Sequence, residues 1–152
     1  MNLQTFLDEQ GVNYRLSHHN PTYTSQDLAA TEHISGRKVI KPVVVRADGQ
    51  WMMCALPASH RVDLRELREQ LRAKDVVLAD EQTLERLFPE CELGAEPPIG
   101  KLYGMPTLMD ESLVADETVT FQAGTHSDAV TMPLSDYRRV ADPEIAHFGR
   151  HL

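Results

Sequence analysis

The segment Val39-Ile40-Lys41-Pro42-Val43-Val44-Val45-Arg46 decides the fold class of this chain. Its run of β-branched residues predicts a buried strand. Asp48-Gly49 predicts a tight hairpin turn, and Trp51 to Leu56 predicts the return strand. A β-hairpin therefore stands at the centre of the predicted sheet, and it carries a lysine within an apolar run.

Further strands are predicted on both sides of this hairpin. They are short, apolar and bounded by turn residues. Val119, Phe121 and Ala123 alternate onto one face of their strand, as Val130 and Met132 do in theirs. The predicted segments are Tyr14–Ser17, Val76–Ala79, Thr107–Met109, Thr118–Ala123 and Ala129–Met132.

Short helices are predicted between these strands from capping residues and spaced leucines. They are an N-terminal helix ending before Gly11, Ser25–His33 capped by Thr24, a helix after Asp63 with Leu64, Leu67 and Leu71 on one stripe, a helix after Asp80 ended by Pro89, a helix from Ser135 through Val140, and a last helical turn from Pro143 that includes Ile145 and Phe148. Hairpins outnumber long crossovers. The pattern therefore favours an α+β fold, a mixed and strongly curved sheet or partial barrel with flanking helices, in a single domain over residues 1–152.

Composition limits the function classes. The net charge of −8 argues against broad binding along a nucleic-acid backbone, but it leaves room for a narrow contact with one end of a nucleic acid. The sequence has no apolar run of 18 residues and no signal-peptide pattern at its N-terminus, so we expect a cytoplasmic protein without a transmembrane helix. Of the two cysteines, Cys54 lies inside an apolar run and is predicted to be a packed thiol rather than a nucleophile.

Lys41 is the first candidate for chemistry. Alternation places it on one face with Val43 and Val45, and lysine is seldom fully buried without a partner. One interpretation is a cation at the mouth of a pocket, able to bind a phosphate or a developing oxyanion. The other is a lysine that extends to solvent at the strand end. Pro42 lacks an N–H and predicts a strand edge or corner here.

Two loops are further candidates. Gly94-Ala95-Glu96-Pro97-Pro98-Ile99-Gly100 is a stiff, glycine-bounded segment whose N–H groups could bind a ligand, or it is an ordinary connector; it lacks the spacing of a P-loop. Gly124-Thr125-His126-Ser127-Asp128 is a turn in which His126 is either a general base or substrate ligand, or a hairpin-tip residue in water. The scattered histidines and cysteines predict no metal site, and no cofactor motif is present.

The order and spacing of Thr24 to Ala29, Ser35 to Lys41, Gly94 to Pro98 and Ala123 to His126 resemble the YbaK/EbsC family. Its members are stand-alone relatives of the editing insertion domain of bacterial prolyl-tRNA synthetase. The resemblance runs from about Phe6 to Phe148. It implies a partial-barrel fold and a metal-independent trans-editing deacylase that hydrolyses the ester of a mischarged tRNA.

The resemblance also assigns roles to residues. The family's essential pocket lysine falls on Lys41, and its GxxxP loop falls on Gly94 and Pro98, with Ala95, Glu96 and Pro97 between them. The backbone of that loop is expected to orient the aminoacyl group. The histidine-bearing turn falls on Gly124 and His126. The expected partners are the aminoacyl-tRNA acceptor end and an aminoacyl-tRNA synthetase, with no membrane.

Two other functions stay open on the residues alone. The acidic net charge favours a binding module that holds a small aminoacyl-like or nucleotide ligand, or a synthetase, without hydrolysis. An unrelated hydrolase would rest only on His126 with Asp128.

Overall fold

A computed structural model describes residues 2–115 and 117–152. The helices are α1 (Leu3–Glu9), α2 (Ser25–Thr31), α3 (Leu64–Leu71), α4 (Glu81–Leu87) and α5 (Leu134–Ala141). The strands are β1 (Arg15–His18), β2 (Ile40–Ala47), β3 (Gln50–Pro57), β4 (His60–Val62), β5 (Val76–Leu78), β6 (Thr107–Asp110), β7 (Thr118–Gln122), β8 (Asp128–Pro133), β9 (Glu144–Ala146) and β10 (Gly149–His151). Within the described ranges no helix is long and apolar enough to cross a bilayer.

The strands form three sheets. The largest has the order β5-β2-β3-β6-β9, in which β2 and β3 are antiparallel and β6 pairs in parallel with β3 and β9. A second sheet has the order β1-β8-β7, and β4 pairs with β10 in a two-stranded ribbon. The mixed α+β architecture is therefore confirmed. None of the described sheets closes on itself, so the partial barrel stays a prediction.

The predicted hairpin is confirmed and lies in the middle of the largest sheet. In its register Lys41 pairs with Leu56, and Ala47 pairs with Gln50 across the turn. Both faces of β2 are buried: Val45 packs with Leu56 in one cluster, while Ile40 packs in another. Each face of β2 therefore packs against part of the core.

Helix starts follow their capping residues. The side chains of Thr24, Asp63 and Asp80 each accept a hydrogen bond from a backbone N–H of the first turn that follows.

Cys54 is fully buried in β3, so the prediction of a packed thiol is confirmed. Burial also raises the pKa of this thiol to about 12.

Three boundary predictions were wrong. The helix predicted to run through His33 ends at Thr31, and α5 begins at Leu134 without a side-chain cap, so Ser135 lies inside it. The helical turn predicted from Pro143 is absent, and two short strands, β9 and β10, are found there instead. The physical reason is long-range pairing, because β9 completes the edge of the sheet beside β6 and overrides the local helix signal.

The buried carboxylate of Asp110 holds the end of the chain in place. It accepts hydrogen bonds from the backbone N–H groups of Phe148 at 2.9 Å and Gly149 at 2.6 Å, and also from Ser112. A Cβ at position 149 would lie 2.8 Å from the Asp110 carboxyl carbon, so only glycine allows this close approach. The ribbon formed by β4 and β10 is thereby fixed beside the start of β2.

Candidate active site

Lys41 is the second residue of β2 and is half-buried. It lines an open cavity of about 300 Å³ together with Thr24, Ser25, Gln26 and Ala58. Burial lowers the pKa of the Lys41 ammonium below its ordinary value. No carboxylate of the described residues forms an ion pair with it. The cavity therefore offers a cation that a ligand can engage.

Hydrogen bonds connect α2 to the start of β2 and fix the walls of this cavity. The Thr24 hydroxyl accepts the N–H of Asp27 at 3.0 Å and so caps α2. The Gln26 amide donates to the carbonyl of Ala58 at 3.2 Å, and the Ala58 N–H donates to the carbonyl of Val39 at 2.8 Å. The helix start and the strand start consequently keep a fixed spacing around Lys41.

His126 is buried, so the prediction of a hairpin-tip histidine in water is wrong. Its Nδ1 lies 3.0 Å from the carbonyl oxygen of Thr22, and its Nε2 lies 2.8 Å from that of Leu93. The Tyr23 ring covers it at a centroid distance of 5.1 Å. Both ring nitrogens thus contact main-chain carbonyls, which is the geometry of a residue that joins two segments.

The loop from Gly94 to Pro98 uses its N–H groups internally. The Gly94 N–H donates to Glu96 Oε1 at 3.1 Å, and the Ala95 N–H donates to the carbonyl of Glu92 at 3.0 Å. The N–H of Glu96 lies against its own carboxyl, and the two prolines have no N–H. The expectation of free N–H groups is therefore wrong for this conformation, because the loop leaves acceptors rather than donors for a ligand.

The backbone of the loop is held from both sides. Gly124 donates its N–H to the carbonyl of Ala95 at 2.8 Å, and its carbonyl accepts from Glu92 at 2.8 Å. The Tyr137 hydroxyl, which is fully buried, donates to the carbonyl of Pro98 at 2.6 Å. Gly124 has φ of +95°, a conformation that side chains disfavour. The predicted loop and the predicted turn are thus joined directly.

Glu96 is a buried carboxyl beside a second cavity. This cavity measures about 210 Å³, and its lining residues are Pro42, Val43, Val44, Leu78, Ala79, Leu84, Gly94 and Glu96. Burial raises the pKa of the Glu96 carboxyl above its ordinary value, against the lowering effect of its bond with Gly94. The cavity is otherwise mainly apolar, so Glu96 is its principal polar group.

The two cavities share β2 as a wall. Lys41 lines one, and the next three residues line the other. β5 pairs with Val45 to Ala47 of β2, and a single bridge joins Val39 to Thr120 of β7, so Lys41 and Pro42 lie between these two contacts along the chain. The structure keeps the two cavities separate, with Lys41 in one and Glu96 in the other.

The segment 22–26 connects His126 to the Lys41 cavity, and it was not assigned to the site from the sequence. Thr22 contacts His126 at one end, and Thr24 to Gln26 line the Lys41 cavity at the other. Gln122, also missed, is buried and donates to the carbonyl of Thr22 at 3.1 Å. Only its polarity within a strand of buried residues signalled this role.

A larger cavity lies elsewhere. It measures about 570 Å³, and its lining residues are Lys101, Gly104, Met105, Pro106, Thr107, Ala141, Asp142, Pro143 and Glu144. It contains none of the residues predicted to act on a substrate. We place the candidate site by its chemistry rather than by cavity size. Among residues 2–115 and 117–152, no group of three metal-ligating side chains is arranged to hold an ion.

Comparisons with known proteins cover the region that contains Lys41, the loop 94–98 and the turn at 124–126. A family model described as an aminoacyl-tRNA editing domain matches residues 19–140. The multifunctional Ser/Thr-tRNA deacylase ProXp-y of Escherichia coli (strain K12) is 24% identical over 157 residues, which cover 97% of this chain and 91% of that protein. The prolyl-tRNA editing protein ProX of Acetoanaerobium sticklandii is 24% identical over 140 residues, covering 88% of this chain and 85% of that protein.

Solved structures share the fold. The hypothetical protein APE2540 matches with a TM-score of 0.88 at 19% identity, over 97% of this chain and 99% of that one. A structure described as a candidate trans-editing enzyme for prolyl tRNA synthetase matches with a TM-score of 0.86 at 17% identity, over 97% of this chain and 94% of that one. At these identities the likeness concerns the fold alone.

Proposed function

Because the chain belongs to the aminoacyl-tRNA editing domain family, we propose that it is a trans-editing deacylase that hydrolyses the ester of a mischarged tRNA. The observation that carries the proposal is the half-buried Lys41 ammonium, which lines an open cavity without a carboxylate partner among the described residues. The matched region contains Lys41, the loop 94–98 and the turn at 124–126. We propose one editing domain over residues 1–152.

Lys41 would stabilise the charge that develops during ester hydrolysis. Water attacks the ester carbonyl carbon, the carbonyl oxygen becomes an oxyanion, and the bond to the ribose oxygen then breaks. A partly desolvated ammonium stabilises such an oxyanion more strongly than an ammonium in bulk water. The leaving ribose oxygen takes up a proton, and the products are a free amino acid and an intact tRNA.

The loop would orient the amino acid rather than the oxyanion. Because its N–H groups are already bonded, the groups that it offers are the carbonyl of Gly94 and the carboxyl of Glu96. Such acceptors suit the α-ammonium or a side-chain hydroxyl of an aminoacyl group. Ala95, Pro97 and Pro98 would shape the loop, while Gly124 and His126 would hold it in position.

We further propose that the reaction needs no metal or other cofactor, and that substrate geometry positions the water. A vicinal hydroxyl of the terminal ribose is close to the ester in any aminoacyl-tRNA and would assist the proton transfer. The names of the curated relatives point to seryl- and threonyl-tRNA as the first substrates to test. The cytoplasm, with an aminoacyl-tRNA synthetase as a second partner, is the expected setting.

The test is a panel of mischarged tRNAs, including Ala-, Cys-, Ser- and Thr-tRNA, incubated with the wild type, Lys41→Ala and Lys101→Ala. The wild type and the Lys101 control should release amino acid from at least one member, and Lys41→Ala should lower the rate at least a hundredfold with an unchanged circular dichroism spectrum. A panel that stays intact with excess wild-type protein would refute the deacylase.

A binding module without turnover is the second candidate, and the net charge of −8 favours it because it weakens contact with most of a tRNA. A ligand such as a non-hydrolysable aminoacyl-adenosine analogue would then raise the melting temperature of the protein while the same panel of esters stays intact. Turnover of any panel member that depends on Lys41 excludes this alternative.

A further inference from the structure

One part of this acidic chain carries no acidic residue. Residues 33–47 and 49–62 contain no aspartate or glutamate, although the chain has 23 of them. The first stretch includes a 3₁₀ turn at Gly36–Lys38 and all of β2, and the second includes β3 and β4. These two stretches therefore carry only positive side-chain charges, which the net charge of the whole chain conceals.

The structure brings the positive residues of this part together. His60 of β4 pairs with His151 of β10, and their rings lie 5.0 Å apart. The N–H of Leu152 donates to the carbonyl of Ser59 at 3.0 Å, and a Cβ at Gly36 would lie 3.8 Å from the Ser59 Cβ. The histidine pair and the turn at Gly36–Lys38 are thus neighbours across Ser59.

His60 lies close to several positive charges. The pKa of His60 is lowered, first by burial and then by the positive charges of His151, Lys41 and Arg37, while Asp110 acts in the opposite direction. The Asp110 carboxylate is buried under β10 and is occupied by backbone N–H groups. The charges felt at His60 are therefore mainly positive and include the lysine of the candidate site.

The opposite face of the ribbon differs. Arg61 and Arg150 are paired across β4 and β10, and alternation turns them away from the histidines. Arg150 forms an ion pair with Asp63 at 2.5 Å, near Glu66 and Glu69 of α3. Acidic residues thus neutralise Arg150 on that face.

We propose that the basic rim, defined as Arg37, Lys38, His60 and His151, binds the phosphates of the acceptor end of tRNA beside the Lys41 cavity. This inference rests on the proposed function, because a 3′ end placed over Lys41 must lay its preceding phosphates on adjacent protein surface. Arginine, lysine and protonated histidine donate hydrogen bonds to phosphate oxygens. A local rim of this kind allows a chain of charge −8 to engage one end of a nucleic acid.

The test measures the binding of uncharged tRNA, which does not require hydrolysis. The variants are R37E/K38E and the matched control R72E/K74E. Arg72 and Lys74 are exposed, come directly after α3, and lie near the Ala47 end of β2 rather than near Lys41. Both variants change the net charge by the same amount. R37E/K38E should weaken binding at least tenfold and lower the slope of log affinity against log salt by about 1 to 2. R72E/K74E should stay within about threefold of the wild type.

A second readout uses the histidines. H60A/H151A should weaken the binding of uncharged tRNA at least threefold, because it removes two imidazole rings that can donate hydrogen bonds to phosphate oxygens. Equal losses in R37E/K38E and R72E/K74E, or no tRNA binding by the wild type, would overturn the rim. If the wild type binds tRNA through the rim but hydrolyses no mischarged tRNA, the deacylase fails and the rim stands. If it hydrolyses mischarged tRNA and R37E/K38E keeps the wild-type KM, the rim fails and the deacylase stands.

Discussion

Replacing Tyr137 with phenylalanine removes one oxygen atom from beneath the loop 94–98. That hydroxyl is fully buried and donates to the carbonyl of Pro98 at 2.6 Å. Its loss removes a hydrogen bond and leaves a buried carbonyl without its partner, which costs about 1–2 kcal/mol of unfolding free energy. For a chain of this length that corresponds to a decrease in melting temperature of about 2–8 °C.

The assay is urea unfolding followed by the fluorescence of Trp51, the single tryptophan of the chain. The matched control is Tyr14→Phe, whose hydroxyl donates to Asp8 at 3.0 Å on the surface, and it should cost less than about 0.5 kcal/mol. Tyr137→Phe should also lower the deacylation kcat, because it releases the loop that orients the aminoacyl group. Equal urea midpoints for the two variants would refute the idea that this bond holds the loop.

Three further outcomes are expected. Lys41→Met should abolish deacylation yet raise the unfolding free energy by about 0.5–1 kcal/mol at neutral pH, because folding desolvates an ammonium that has no ion-pair partner among the described residues. Since burial lowers the pKa of Lys41, this cost is present below the folded-state pKa and fades as the pH rises through the unfolded-state pKa. A loss of stability would contradict this prediction. Glu96→Gln should stabilise the protein at a pH above the raised pKa of the Glu96 carboxyl, because folding must then bury a negative charge. The gain in urea midpoint should disappear as the pH falls through that pKa, and a pH-independent difference would rule this out. Gly149→Ala should destabilise by about 1–3 kcal/mol because its Cβ would meet the Asp110 carboxylate, whereas Gly36→Ala, with its nearest contact at 3.8 Å, should cost far less; equal urea midpoints would disprove the steric argument.

The central hairpin was predictable because its signals are local. β-branched alternation and the turn dipeptide Asp48-Gly49 act within a few residues, and β2 and β3 form as expected. The end of the chain was not predictable in this way. β9 and β10 have only three residues each and depend on partners far away in sequence, β6 and β4. No local pattern encodes such pairings.

Sequence pattern marked Lys41, the loop 94–98 and His126 as candidates, but it left a purely structural alternative open for each of them, and the family resemblance then favoured the functional interpretation. The hydrogen bonds of these residues were not predictable. The N–H groups of Gly94 and Ala95 are bonded to Glu96 and Glu92, and both ring nitrogens of His126 contact main-chain carbonyls. Sequence indicates which polar groups are present, whereas folding decides which of them are already satisfied.

The internally bonded loop has a consequence for ligand design. A surface that presents a cation at Lys41 and acceptors at Gly94 and Glu96 is polarised, so a tight inhibitor should carry opposite charges at its two ends. A phosphonate would replace the ester and face the lysine, and a free amine would face the loop. Acetylating that amine would then weaken the inhibitor, whereas a loop with free N–H groups would tolerate or even favour the acetyl group.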